Sequence, residues 1–251
     1  MLKFIGPLIV LVALAPCGVR AGEIDCGALV NHFGPFDYRT TPKERRSLVE
    51  DAHFTPQVER LMRGQSTAVI GADINYVLSV FPNHPRALLA MMNLAQKEKL
   101  DKPKGSGFTV DCWFDRAVRF RPDDPNVRML YGIYLLRKGK AKDGIVQLKE
   151  AESIQEGGGN ANLYYNMGLA YFSAGDYEKS LKYAHQAYGL GFDLPGLRNK
   201  LKGVGKWAPP APVSPAENVP DVAAPARNNE PSTESPADAG AANLRAELAR
   251  L

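Results

Sequence analysis

The residue types that do chemistry most readily are scarce here: four histidines and three cysteines among 251 residues. Spacing decides what they could do. His32, His53, His84 and His185 are dispersed, and none lies within one helical turn of a cysteine or another histidine, so the ligand spacing of a zinc site is missing. The sequence also lacks a P-loop, a dinucleotide fingerprint, GxSxG and HExxH. His84, beside Pro85, reads as a capping or loop residue, and His185 as a surface or interface position on a helix. Asp123-Asp124 suits a turn that starts a helix, where Asp accepts free backbone N–H groups. No catalytic or metal-ligating residue is assigned, no cofactor is implied, and the chain reads as non-enzymatic.

Cys17 belongs to a leader. Lys3 gives a short positive start, Phe4–Ala15 is an apolar run of 12 residues, and Val19-Arg20-Ala21 places small residues three and one before Gly22. That is the pattern of a secretory signal, residues 1–21. The run is too short to span a bilayer, which takes about 20 residues, and no other long apolar stretch follows. The expectation is an exported, periplasmic protein with no transmembrane span. A second reading stays open: Leu14-Ala15-Pro16-Cys17 resembles a lipobox, with Pro16 where Gly or Ala is wanted. It would make the chain lipid-anchored through Cys17, an outer-membrane assembly factor of the pilotin kind.

Cleavage after Ala21 leaves Cys26 and Cys112 in an oxidising compartment, where a disulfide persists. A bridge between them closes a loop of about 86 residues and stabilises by roughly 4 kcal/mol in the chain-entropy account. Two buried thiols are the alternative. The chain is 45% hydrophobic and 23% charged, an ordinary globular balance. Its net charge of +4 is uneven: residues 22–207 carry a surplus of five basic groups, and residues 208–251 hold three Arg against six acids. A surplus of five over a body this size is too weak to indicate nucleic acid.

The elements that must position any site repeat along the chain. Pro85-Arg86-Ala87-Leu88, Pro125-Asn126-Val127-Arg128 and Ala161-Asn162-Leu163-Tyr164 each open a stretch with i, i+3, i+4, i+7 apolar spacing, one buried helical stripe apiece. Each is followed by a break and a second helix with a small residue at a fixed place, Ala117, Ala151 and Ala187; Val77 holds that place in an earlier half-unit. Those four positions are 40, 34 and 36 residues apart. The excess in the first interval falls in Glu98–Thr109, where Lys102-Pro103-Lys104-Gly105-Ser106-Gly107 reads as a loop. Residues 22–71 are helical without repeating. Thr41-Pro42-Lys43-Glu44 reads as a capping box with proline at the first helical position, opening a helix to about Asp51, and Thr55-Pro56 starts another that ends near Gly64. Phe33, Phe36 and Tyr38 lie in a segment broken by Gly and Pro; they either pack on the helices, the favoured reading, or fill a groove. Leu194–Leu201 closes the array as a short helix.

This pattern resembles the tetratricopeptide repeat, a helix–turn–helix unit of roughly 34 residues. The third copy fits best, with Tyr164, Met167, Gly168 and Tyr171 on the first helix, Gly175 at the turn, and Tyr177, Ser180, Ala184 and Ala187 on the second. The second copy matches at Tyr131, Gly132, Leu135, Gly139, Gly144, Leu148 and Ala151. The first copy departs from the pattern with Met92 at the small-residue place. Together with Cys26-Gly27, Gly34–Arg39, His53-Phe54-Thr55 and Phe81-Pro82-Asn83-His84, the repeats look like a group of exported bacterial repeat proteins, a likeness that brings no activity with it. The resemblance implies an all-α solenoid of helical hairpins over residues 72–207, about three repeats plus a half-unit, in a register where Gly132 and Gly168 face Ala151 and Ala187. It also implies a protein-binding scaffold that works through its concave face.

The inner-face places implied by the family are Arg86, Leu89, Asn93 and Gln96, then Asn126, Met129, Ile133 and Leu136, then Asn162, Tyr165, Leu169 and Phe172. Relatives that clamp a peptide carboxylate use Lys and Asn there; Leu89, Met129 and Tyr165 argue against such a clamp and for an apolar helix or extended peptide. The occupant is another envelope protein, the chain's own aromatic segment or its tail; alternatively these places pack against an internal helix. The tail is different material. Residues 208–242 hold eight Pro and ten Ala and no aromatic, too little apolar surface to offset ordering entropy, so a disordered linker is expected. Residues 243–251 place Leu244, Leu248 and Leu251 on one helical stripe, either a frayed end or a partner-docking helix on a tether.

Overall fold

The computed structural model describes residues 25–155 and 159–210. The leader with Cys17, Gly157 and its neighbours, most of the Pro/Ala-rich segment and the 243–251 stretch lie outside the described residues. The described residues form ten α-helices and no strand: α1 Lys43–His53, α2 Pro56–Glu59, α3 Ile70–Val80, α4 Pro85–Glu98, α5 Val110–Phe120, α6 Pro125–Arg137, α7 Ala141–Ile154, α8 Ala161–Ser173, α9 Tyr177–Gly189 and α10 Gly196–Gly203. Among the described residues no helix is long and apolar enough to cross a membrane.

Local chemistry explains where these helices start. Pro56, Pro85 and Pro125 hold first-turn positions, where a missing N–H costs nothing. His84, Thr109, Asp124, Asn160 and Asp176 accept N–H groups of the turns they precede. Packing then pairs the helices: α6 lies along α7, α8 along α9, and α4 beside α6. Close approach needs glycine. A Cβ on Gly132 would stand 2.6 Å from Leu148 Cγ and 3.0 Å from the Gly144 carbonyl. One on Gly168 would stand 2.3 Å from a Leu197 methyl and 3.3 Å from the Ser180 carbonyl, while the Ser180 hydroxyl donates to the Gly168 carbonyl at 2.9 Å. The atoms nearest the two glycines thus come from Leu148 and Gly144 and from Leu197, Ser180 and Ala184, and Ala151 and Ala187 are buried on the same second helices.

Two helix starts differ from the sequence expectation. Pro42 is the cap of α1 rather than its first helical residue, and Thr41 does not cap the helix, because its hydroxyl donates to the Asp37 carbonyl at 2.6 Å. The helix at Pro56 stops after one turn instead of running to Gly64, since Leu61 adopts φ +56° and the chain turns away. The aromatic segment packs, as favoured. Phe36 and Tyr38 lie 6.2 and 5.8 Å from Phe81, and Tyr38 stacks on His84 at 3.9 Å, so the segment covers the α3–α4 turn and not the inner-face strip.

Cys26 and Cys112 form a disulfide that spans 86 residues and pins the N-terminal segment to α5. Arg116, almost fully buried, donates to the carbonyls of Cys26 and Ala28 at 2.9 and 2.7 Å beside it. Reduction is therefore expected to lower stability by about 2–4 kcal/mol, read as a fall in melting temperature with reductant that Cys26→Ser/Cys112→Ser reproduces. Gly132→Ala is expected to cost about 1–3 kcal/mol by overpacking the α6–α7 contact; an unchanged melting temperature would remove the close-approach argument.

Candidate functional site

The two ends of the α4–α6 pair are chemically opposite. At their starts, Asn83 in the α3–α4 turn donates its side-chain amide to Asp37 at 2.7 Å and to Asp124 at 2.9 Å, and its carbonyl accepts the Tyr38 N–H at 3.0 Å. Arg39 pairs with Asp37 and Asp123 at 2.9 and 3.0 Å, and Arg121 with Asp37 at 2.8 Å. Beside them His84, fully buried, accepts the Ala87 N–H on Nδ1, which leaves its Nε2–H to donate to Glu50 at 3.0 Å. Tyr38 donates to the same Glu50 oxygen at 2.9 Å, and Arg86 pairs with Glu59.

These groups are held in fixed charge states. Burial pushes the Glu50 carboxyl up, but the hydrogen bonds from His84 and Tyr38 outweigh it and hold it at about 2. Asp37 is likewise about 2, burial being overcome by Arg39 and Asn83. Burial keeps the His84 imidazole below its ordinary range. A second cluster behaves alike: fully buried Asp73 accepts from His53 at 2.9 Å and from the Gln65 N–H at 2.8 Å, and these bonds lower its carboxyl against the effect of burial. Each titratable group here is spent on a turn, a cap or a partner charge.

At the other end, α4 and α6 finish side by side around a cavity of about 230 Å³. Met92, Ala95, Leu100 and the Tyr134 ring line it with apolar surface, and Gln96, Lys99, Asp101, Arg137 and Lys138 complete the wall. Tyr134 donates to Asp111 at 2.6 Å, and burial with that carboxylate pushes its hydroxyl well above the ordinary range. Arg137 reaches back to Asn93 at 2.7 Å, and Lys138 pairs with Asp101 at 2.6 Å, joining the α6–α7 turn to the loop after α4. Residues 97–104 and 137–142 together carry eight basic side chains and two acids. That net +6 exceeds the whole surplus of residues 22–207, so the rest of the body is slightly acidic. Among the described residues, the Lys99, Lys102, Lys104, Lys140 and Lys142 ammonium groups make no ion pair or hydrogen bond. Lys99 also ends α4 at φ +56°, a left-handed conformation that glycine adopts more cheaply.

The inner-face residues expected from the sequence are only partly available. Leu89, Met129, Ile133, Asn162 and Tyr165 are buried, none more than 7% exposed. Tyr165 stacks on Phe192 at 4.3 Å and its hydroxyl accepts the Leu197 N–H at 3.2 Å, so the closing segment covers it. Arg86, Asn93, Leu136, Leu169 and Phe172 are half-buried, and Gln96 and Asn126 are exposed. Only Gln96 lies in the cavity wall. The sequence reading missed the lysines, and the signal was visible in two Lys-rich linkers that follow consecutive first helices; only their adjacency was hidden. The chain matches no family model and no curated protein.

The charge states give a pH dependence with a definite sign. Carboxyls lowered on folding stabilise the fold above their unfolded values of 3.8 and 4.5, and that contribution is lost as pH falls toward about 2. His84, lowered on folding, adds a decline that begins as pH drops below its unfolded value of 6.5, because the unfolded chain takes the proton first. The melting temperature is expected to be level above neutrality, to slope down from there and to steepen in the carboxylate range. His84→Gln should flatten the first slope and weaken the second only by the share that Glu50 owes to His84, leaving the Asp37 and Asp73 contributions.

Proposed function

We propose that the chain is an exported, non-enzymatic scaffold of tetratricopeptide type that binds a protein segment at the basic end of its helical array. The hairpins α6–α7 and α8–α9, closed on Gly132 and Gly168, support the repeat reading, with α4–α5 as the looser first unit and α3 as the half-unit before it. The Cys26–Cys112 disulfide supports export, since such bridges persist outside reducing compartments. The observation that carries the binding reading is the cavity between the ends of α4 and α6, lined by apolar surface, with Lys99 unpaired in its wall and Lys102, Lys104, Lys140 and Lys142 unpaired in the two linkers that meet there. Its chemistry suits an acidic segment with one or two apolar anchor side chains: the anchor fills the floor, and the lysines draw in carboxylates. The contact surface thus shifts from the middle of the inner-face strip to its end, with Gln96 common to both.

Lys99→Gly removes a rim charge and relieves the left-handed strain, so it is expected to stabilise the fold by about 1 kcal/mol. That corresponds to a rise of about 2–4 °C in melting temperature for a chain of this size. Combined with Lys140→Glu, it should abolish capture of an envelope partner in a crosslinking pull-down. Capture unchanged by the double variant would take the basic end out of the function. Mass spectrometry of the mature chain tests the route: a free Gly22 terminus is expected, and a lipidated Cys17 would replace the soluble scaffold with an anchored one.

A further inference from the structure

We propose that the basic end has a built-in occupant, the acidic stretch at residues 217–238 of the same chain, which covers the cavity until a partner displaces it. The inference rests on reading this end as the binding surface. It starts from charge: residues 217–238 hold five acids against one Arg, while the basic surplus of the body falls in residues 97–104 and 137–142, the two linkers that supply Lys99, Arg137 and Lys138 to the cavity wall. The match extends to the floor. Glu217-Asn218-Val219-Pro220-Asp221-Val222 alternates carboxylates with Val and Pro side chains of a size for a 230 Å³ hollow lined by Met92, Leu100 and Tyr134.

The exit of the chain makes the contact reachable. After α10, the Lys206 N–H bonds the Leu201 carbonyl at 2.8 Å, and His185 bonds the Ala208 carbonyl at 2.8 Å. Trp207 sits edge-on to His185 and Tyr188 at 5.4 and 5.9 Å, with the Arg198 guanidinium 5.2 Å from its ring. The chain is thus fastened to α9 on the body up to Ala208. From there Glu217 is nine residues on, about 28 Å at about 3.1 Å per residue in polyproline geometry. A body this size has a radius of gyration of about 16 Å and so a width of about 40 Å, which the extended chain spans by Asp221, so the acidic stretch can reach the basic end. A tethered segment binds at high effective concentration, so even weak pairing keeps it seated.

Zero-length carbodiimide cross-linking of the gel-filtered, full-length mature monomer tests this. Expected are intramolecular links from the 217–238 carboxylates to Lys99, Lys102, Lys138 or Lys140, lost several-fold in about 1 M salt, where the Debye length is about 3 Å. Neutralising the tail (Glu217→Gln, Asp221→Asn, Glu230→Gln, Glu234→Gln, Asp238→Asn) leaves the folded body untouched and should raise acylation of Lys99 and Lys140 several-fold. Links spread evenly over Lys182, Lys200 and Lys202, or unchanged acylation, would overturn the proposal. So would binding to phosphatidylglycerol vesicles that needs the same lysines while no tail links form, because the surface would then belong to a membrane. Partner capture without tail links sinks only the covering role, and tail links without any captured partner sink only the scaffold.

Discussion

Asn83 is the residue on which the arrangement turns. Fully buried, it spends its amide on Asp37 from the N-terminal segment and Asp124 from the α5–α6 turn, and its carbonyl on the Tyr38 backbone. A buried amide with both ends satisfied is stabilising, whereas one left unpaired costs about 1–3 kcal/mol. The bonds that satisfy it hold the starts of α4 and α6 together under one strap. Two helices of similar length that start together and lie alongside also end together. The cavity and its lysines follow from that.

The separation of charge between the two ends has the same origin. At the sealed end Asp37 and Asp124 are buried and Glu50 is half-buried, so each is paired or hydrogen-bonded, Arg39 reaching in from the surface to the two aspartates. At the open end the lysines stay hydrated, and their mutual repulsion is screened and small. The fold therefore tolerates an uncompensated cluster there at little cost. Lys99 adds a further small strain by ending α4 in a glycine-like conformation. Strain kept at an unpaired cation in a cavity wall fits a surface selected for contact rather than for stability.

Much of the helical layout was legible in the chain. Pro85, Pro125 and the caps Asp124 and His84 mark helix starts, and the apolar stripes mark buried faces, because these are local effects within one or two turns. The pair of cysteines left once the expected leader with Cys17 is set aside pointed to the bridge, though not against the alternative of two thiols. The capping box at Thr41 failed because a tertiary strap offered its hydroxyl a better acceptor in the Asp37 carbonyl. Which places of the inner-face strip stay open was not legible either. Tyr165 has the spacing of an exposed groove residue, but α10 and Phe192 close over it, and nothing local reports where a later segment will fold back.

Charge shows the division most sharply. The count of lysines in residues 97–104 and 137–142 is a property of the chain, as are the glycines that let α6 and α7 touch and the leader-like start. Whether those lysines form one surface or two unrelated linkers is not in the chain, since about forty residues separate them. Electrostatic interaction acts through distance in space, and that distance was set by helix packing and by one buried asparagine. Composition supplied the charges, and only the tertiary fold brought them to a common end.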